Sequence, residues 1–287
     1  MKDVFTTSVK LNRNLIGRRI IMIKTGTFFH HIRQAAVERS ETLEQTLEYV
    51  RMLGYEAAEV DADDREGTNL LAAHGIAVSS IYRNYSWHDE INIDAMKEHI
   101  QLAENLGSDK IMAIPGFFGK SDNEIIRNEK LKRMADGMRR LCELALQNGL
   151  TLTIEDYDNA LSPISTIDGI EYFLDAVPDL KVAFDTGNFA YSGEDVLTAE
   201  KAFTDRIVHA HLKDRLYSRT GNGDPCKCPD GRVLWPCAVG EGDIPMDELL
   251  NRLKAGGYSG YVMAEFFGAA SYSDTLRKSM EFLRERV

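Results

Sequence analysis

The sequence predicts an α/β fold, a single (β/α)8 TIM barrel, on three observations. Short β-rich runs alternate with amphipathic helical stretches in eight strand–helix units, and strict alternation implies a parallel sheet that eight units can close. The first strand lacks the Gly-rich turn that marks a doubly wound open sheet, since "IKTGTFF" holds one glycine. Polar and ionisable groups gather where strands end, which is where barrels of this kind carry their chemistry.

"RRIIMIK" (18–24) reads as the first strand, and "TLEQTLEYVRMLG" (42–54) follows with leucines at helical spacing and Gly54 as C-cap. "AAEVDA" (57–62) is the second strand, and a short helix near 67–74 leads to "IAVSSIY" (76–82). A Gly-stopped helix at 93–107 precedes "KIMAIPG" (110–116), and the longest helix, 128–149, runs into "LTLTIED" (150–156). Thr166 is a natural N-cap for a helix at 166–177, followed by "KVAFDTG" (181–187). A helix at 193–205 precedes "RIVHAHLKD", the seventh strand. A helix at 245–257 takes Pro245 in its first turn, "GYVMAEF" (260–266) is the last strand, and 274–287 closes the chain. The expected layout is one domain over 1–287, with an N-terminal extension of about 1–18 and a long loop at 214–244 after the seventh strand.

The balance of 44% apolar and 28% charged residues suits a soluble globular protein with a sizeable core. No run approaches the roughly 18 apolar residues of a membrane span, so no membrane partner is expected. A net charge of −11 argues against a nucleic-acid partner, because phosphate binding needs clustered Lys and Arg. Four cysteines without a signal segment suggest a reducing cytoplasm.

Strand alternation places His209, His211 and Lys213 on one face of "VHAHLKD". The same period aims Glu155, Asp185, His211 and Glu265 into the barrel mouth from four successive strands. Taken singly, an acid at a strand end fits a helix cap, and a buried histidine fits a hydrogen-bonded core position, which is the reading for His209. Three carboxylates buried together repel one another unless a cation holds them, and with one imidazole they suit Mn²⁺, Co²⁺ or Mg²⁺, with Zn²⁺ a less typical occupant. In the long loop, Cys226, Cys228 and Cys237 fit no trusted zinc spacing, leaving zinc, a disulfide or free thiols open. That loop reads as a lid over the mouth, with Trp235 as an apolar wall for a sugar.

"TLTIEDYDN", "VAFDTGN", "VHAHLKD", "AVGEGDIP" and "YVMAEF" resemble strand ends of the xylose-isomerase-like sugar (phosphate) isomerases and epimerases. "GYEAAEV" is similar to the family's Gly-aromatic run leading to a glutamate, here Glu59, a substrate-side candidate. The resemblance covers roughly residues 20–285 and includes the D-tagatose/D-psicose 3-epimerase branch. It implies one divalent metal ion on Glu155, Asp185, His211 and Glu265, with Glu155 and Glu265 also moving the protons. Asp158 matches a substrate-contacting carboxylate of related epimerases. Where that branch carries a histidine, this chain has Asn188, which can hydrogen-bond substrate but cannot titrate. Lys213 and Arg215 are candidates for a substrate hydroxyl, carbonyl or phosphate.

The expected function is therefore metal-dependent isomerisation or epimerisation of a sugar or sugar-like ketose or aldose, through an enediolate. The alternative is an inosose-type dehydratase on the same scaffold. A non-catalytic sugar-binding barrel and an apurinic-site endonuclease fit less well. The endonuclease needs further histidines for three zinc ions, and Asn188 stands where one is required. The expected partner is a small sugar or polyol, and barrels of this family often pair as homo-oligomers.

Overall fold

Eight parallel strands close a barrel in the computed structural model, which describes residues 23–287. In chain order the first seven are β1 (Lys24–Phe28), β2 (Ala57–Asp61), β3 (Ala77–Asn84), β4 (Lys110–Ile114), β5 (Thr151–Ile154), β6 (Lys181–Asp185) and β7 (Ile207–Lys213). Three short strands follow, β8 (Arg215–Leu216), β9 (Cys226–Lys227) and β10 (Val233–Pro236), before β11 (Tyr261–Glu265) completes the barrel. Around the closed sheet the order is β1-β11-β7-β6-β5-β4-β3-β2, so β1 and β11 meet, with Gly26 opposite Met263. Gly26 is there for space: a Cβ would fall 2.5 Å from the Met263 sulfur inside the barrel.

The helices are α1 (Phe29–Arg39), α2 (Leu43–Leu53), α3 (Ile93–Leu106), α4 (Glu124–Gln147), α5 (Ile167–Ala176), α6 (Phe189–Ser192), α7 (Val196–Phe203), α8 (Met246–Ala255) and α9 (Tyr272–Arg284). Their starts are written in the sequence. Thr42 and Gln45 form a capping box, and Asn92, Asn123, Thr166, Asp195 and Ser271 each accept a backbone N–H at their helix's first turn. Each such cap is worth about 1 kcal/mol. The inner faces then dock on the sheet: Leu276, Met280 and Leu283 of α9 are buried at i, i+4 and i+7. Burial of each such side chain contributes about 1.5–3 kcal/mol.

Several elements differ from the sequence expectation. The expected first strand (18–24) and the extension (1–18) lie, apart from residues 23 and 24, outside the described residues, and β1 begins at Lys24. The helix α1 was not expected, and it starts after Phe28 with no side-chain cap. The segment near 67–74 forms two single 3₁₀ turns, Thr68–Leu70 and Ala72–His74. The stretch at 193–205 loses its start to Gly193 and Asp195, which separate α6 from α7. Pro245 sits at the N-cap of α8, one residue before its first turn. The loop after β7 is no plain coil: β10 pairs antiparallel with β8 and β9 in a three-stranded sheet. Among the described residues, no helix is long and apolar enough to cross a membrane.

Candidate active site

Glu155 directly follows β5, Asp185 and Glu265 end β6 and β11, and His211 lies two residues before the end of β7. Period-two alternation turns all four inward, and all four are buried. One ligand atom from each lies within 4.8 Å of every other. Local geometry aims them. Asp185 Oδ1 accepts the N–H groups of Gly187 (2.6 Å) and Asn188 (2.7 Å), fixing the carboxylate and leaving Oδ2 with no partner. Glu265 Oε2 is likewise buried and accepts no hydrogen bond, with only His211 Nδ1 nearby at 3.4 Å.

His211 is held from behind. Its Nε2 lies 2.7 Å from Glu59 Oε2, while Nδ1 contacts Glu155 and lies 3.4 Å from Glu265 Oε2. Burial alone would lower the His211 pKa, but the Glu155 and Glu59 carboxylates more than offset it and hold it well above the usual value. Burial and the nearby Glu265 charge push Glu155 up to about 7, against the pull of His211 and Lys213. Asp185 is also raised well above the carboxylate range, chiefly by burial. Two unsatisfied buried oxygens, three crowded carboxylates and an imidazole nitrogen facing them fit a divalent cation of the Mg²⁺, Mn²⁺, Co²⁺ or Zn²⁺ type.

A cavity of about 530 Å³ opens above this group. Lys213 reaches its floor, 2.8 Å from Glu265 Oε1, 2.7 Å from Asn188 Oδ1 and 3.5 Å from Asp158. The ammonium is buried, yet Asp158, Glu265 and Asp185 more than offset that burial and keep it charged. Arg215 donates to Asp158 at 2.7 Å, and its Nε is buried without a partner. Asn188 spends its amide on orienting this wall, donating to the Asp156 carbonyl (2.7 Å) and accepting from Lys213. Opposite stand Phe28, Tyr82, Met112 and Ile114, with Tyr157 and Phe267 at the sides. Phe28 meets the His211 ring edge-on at 4.9 Å between centroids.

Asp158, Asn188, Lys213 and Arg215 line the cavity together with Glu155 and Glu265. Two other expected substrate contacts do not. Glu59 is fully buried one layer below the mouth, because β2 runs two residues further and Asp61 takes the rim position. There Glu59 Oε2 also meets His209 Nε2 at 2.7 Å, which gives His209 its hydrogen-bonded core role. Trp235 turns instead into the three-stranded sheet, opposite Leu216 and against Gly221, and Asp224, Pro225 and Cys226 of the same loop face the cavity. Cys142, Cys226, Cys228 and Cys237 are free thiols, and no cysteine joins a metal-ligating group among the described residues. The sequence reading missed Phe28, Asp61, Tyr82, Asn84 and Cys226. The signal for Asp61 was parity with Glu59, and Tyr82 and Asn84 share one face of β3.

Comparison with known proteins agrees with this architecture. The chain is 26% identical to an inosose dehydratase of Clostridium perfringens over 184 residues, 61% of this chain and 60% of that protein. The chain thus spans about 60% of the length of the first such relatives it matches. Its fold matches a structure described as IOLI protein with a binding zinc atom, at a TM-score of 0.70 and 17% identity, over 92% of this chain and 98% of the other. It matches L-ribulose 3-epimerase equally well, with a TM-score of 0.70 and 18% identity over 92% and 94% of the two chains. The sequence pattern of one family accounts for residues 43–286, nearly the whole described barrel, and this chain belongs to that family, the xylose isomerase-like TIM barrels.

Proposed function

We propose that this chain is a divalent-metal-dependent isomerase or epimerase of a small sugar or sugar-like carbonyl compound. The observation that carries the proposal is the convergence of Glu155, Asp185, His211 Nδ1 and Glu265 within 4.8 Å under an open cavity. Those four residues would hold the ion, which when bound supplies polarisation of the substrate carbonyl and lowers the pKa of the neighbouring C–H. The chain's own groups do the rest. Glu155 and Glu265, from opposite sides of the β6–β7 seam, remove the proton beside the carbonyl and return it at the other face or the neighbouring carbon. Lys213, charged and within reach of Glu265, donates to the oxygen that becomes negative in the enediolate. The aromatic wall excludes water and packs on the apolar face of a sugar ring.

The inosose dehydratase relatives favour a second reading on the same first step. There the enediolate expels a β-hydroxyl instead of regaining its proton, and Lys213 or Arg215 assists the departing oxygen. One screen separates the two outcomes. Ketoses, aldoses, their phosphates and inososes are offered in deuterated water with Mn²⁺, Co²⁺ or Mg²⁺, and products are read by NMR. An epimer or isomer carrying solvent deuterium at the reacting carbon supports the first reading, and a product lighter by one water supports the second. Product free of solvent deuterium would remove the two-glutamate mechanism.

A further inference from the structure

We propose that Glu59 is a positioning residue that sets the tautomer of His211, so that Nδ1 offers its lone pair to the cation site. Resting on the metal site assigned under the proposed function, the inference adds a role for a buried group that touches neither cavity nor substrate. Glu59 Oε2 lies 2.7 Å from His211 Nε2 and 2.7 Å from His209 Nε2, and all three side chains are sealed from solvent. A carboxylate oxygen only accepts, so each ring must carry its proton on Nε2. His211 Nδ1, the nitrogen that faces Glu155 and Glu265, also carries a proton toward Glu155 in the metal-free protein, and it is the one a cation can displace, because Nε2 stays committed to Glu59.

His209 completes the arrangement. Its ring meets that of His211 at 5.1 Å and 85°, so the two N–H groups converge on the shared oxygen from nearly perpendicular planes. An imidazole held this way cannot rotate to offer the other nitrogen without breaking a buried, charge-assisted bond. Glu59 Oε1 and His209 Nδ1 make no hydrogen bond among the described residues, so Oε2 alone carries the contact to both rings. The same three side chains are close enough to hold an ion of their own, and the experiment has to exclude that.

The test uses the full chain, with Mn²⁺ titrations for affinity and ¹⁵N-imidazole NMR of the Zn²⁺-loaded protein for the tautomer. The wild type should bind one Mn²⁺ per chain, and in the Zn²⁺ form both His209 and His211 should carry their proton on Nε2. In Glu59→Gln an amide N–H₂ turned toward a ring drives that ring's proton to Nδ1. Mn²⁺ affinity should then fall about 10–100-fold, with the melting transition retained. A Zn²⁺-loaded wild type whose His211 carries its proton on Nδ1 overturns the proposal without reference to any variant. So does unchanged Mn²⁺ affinity in a folded Glu59→Gln protein, and so do two ions per wild-type chain, which would make the trio a second metal site. These outcomes leave the proposed function standing, whereas a wild type that binds no Mn²⁺ overturns both.

Discussion

The two halves of the barrel contribute different things to one cavity. Strands β5, β6, β7 and β11 bring Glu155, Asp185, His211, Lys213 and Glu265, with Asp158 and Arg215 just beyond. Strands β1, β3 and β4 bring Phe28, Tyr82, Met112 and Ile114, and only Asp61 of β2 adds a charge from that side. The difference teaches a division of labour. Charge is crowded on one wall, where burial shifts its pKa values, and the facing wall is largely apolar, which limits how far water can relieve that crowding. Damage to the charged wall should strike turnover, and damage to the apolar wall should strike binding.

The comparison breaks most readily at the metal-facing groups. Asp185→Ala or His211→Ala should abolish binding of the single divalent ion while the fold persists, checked by metal analysis after dialysis beside a melting curve. Retained stoichiometric metal in both variants would dissolve the distinction between the walls. Next come Glu155→Gln and Glu265→Gln, each expected to cut turnover about 100-fold or more, the usual scale of acid–base catalysis. Metal content is measured in the same samples, so that lost ligation is not mistaken for lost proton transfer.

pH sharpens the picture further. Burial raises the Glu155 pKa to about 7 in the metal-free protein, so below pH 7 this carboxyl holds a proton that a cation must displace. Lowering the pH from 7 to 6 should weaken Mn²⁺ binding by about fivefold through this group alone, with proton release visible by calorimetry in buffers of different ionisation enthalpy. Affinity that is flat over that range would mean the carboxylates are already ionised. On the other wall, Ile114→Ala should raise KM by about tenfold and leave kcat nearly unchanged, since what is lost is uniform apolar contact. A fall in kcat instead would place this wall in the chemistry. The smallest effect is expected at Cys226, which lines the cavity half-buried: substrate or product should slow its alkylation, read by intact-mass spectrometry. Equal rates with and without ligand would place the loop outside the binding step.

The charged wall was the more legible half in the sequence. Its residues stand at the ends of alternating apolar runs, and period-two parity alone delivers Glu155, Asp185, His211 and Glu265 to one point. The apolar wall gave no such sign, because a phenylalanine or methionine in a strand reads as core whether or not it borders a cavity. Phe28 was further hidden by the apolar run before it, which drew the expected first strand forward and obscured α1. That helix starts with no side-chain cap, and its sequence "FHHIRQAAVER" carries little amphipathic contrast. Glu59 was read as a rim residue since parity tells which face a side chain takes but not how many residues of strand remain above it. Trp235 shows the limit for loops: antiparallel pairing within 214–244 decided its direction, and neither periodicity nor composition announces such pairing in a stretch rich in Gly and Pro.

The anchoring of that loop bears on the strand beneath it. The buried Asp214 carboxylate gathers the N–H groups of Gly240, Gly242, Ile244 and its neighbour Arg215, tying both ends of the excursion to the top of β7. Gly242 is obligatory in that knot, since a Cβ would fall 2.1 Å from Asp214 Oδ1 and 2.7 Å from the Arg215 carbonyl. Between the two anchors the segment is itself packed on the barrel, with Leu234 and Cys228 buried and the Asp224 N–H donating to the Gly268 carbonyl. Loop and strand therefore share one clamp, and loss of the Asp214 carboxylate would loosen the cavity rim at Asp224, Pro225 and Cys226 together with the strand that carries His211 and Lys213.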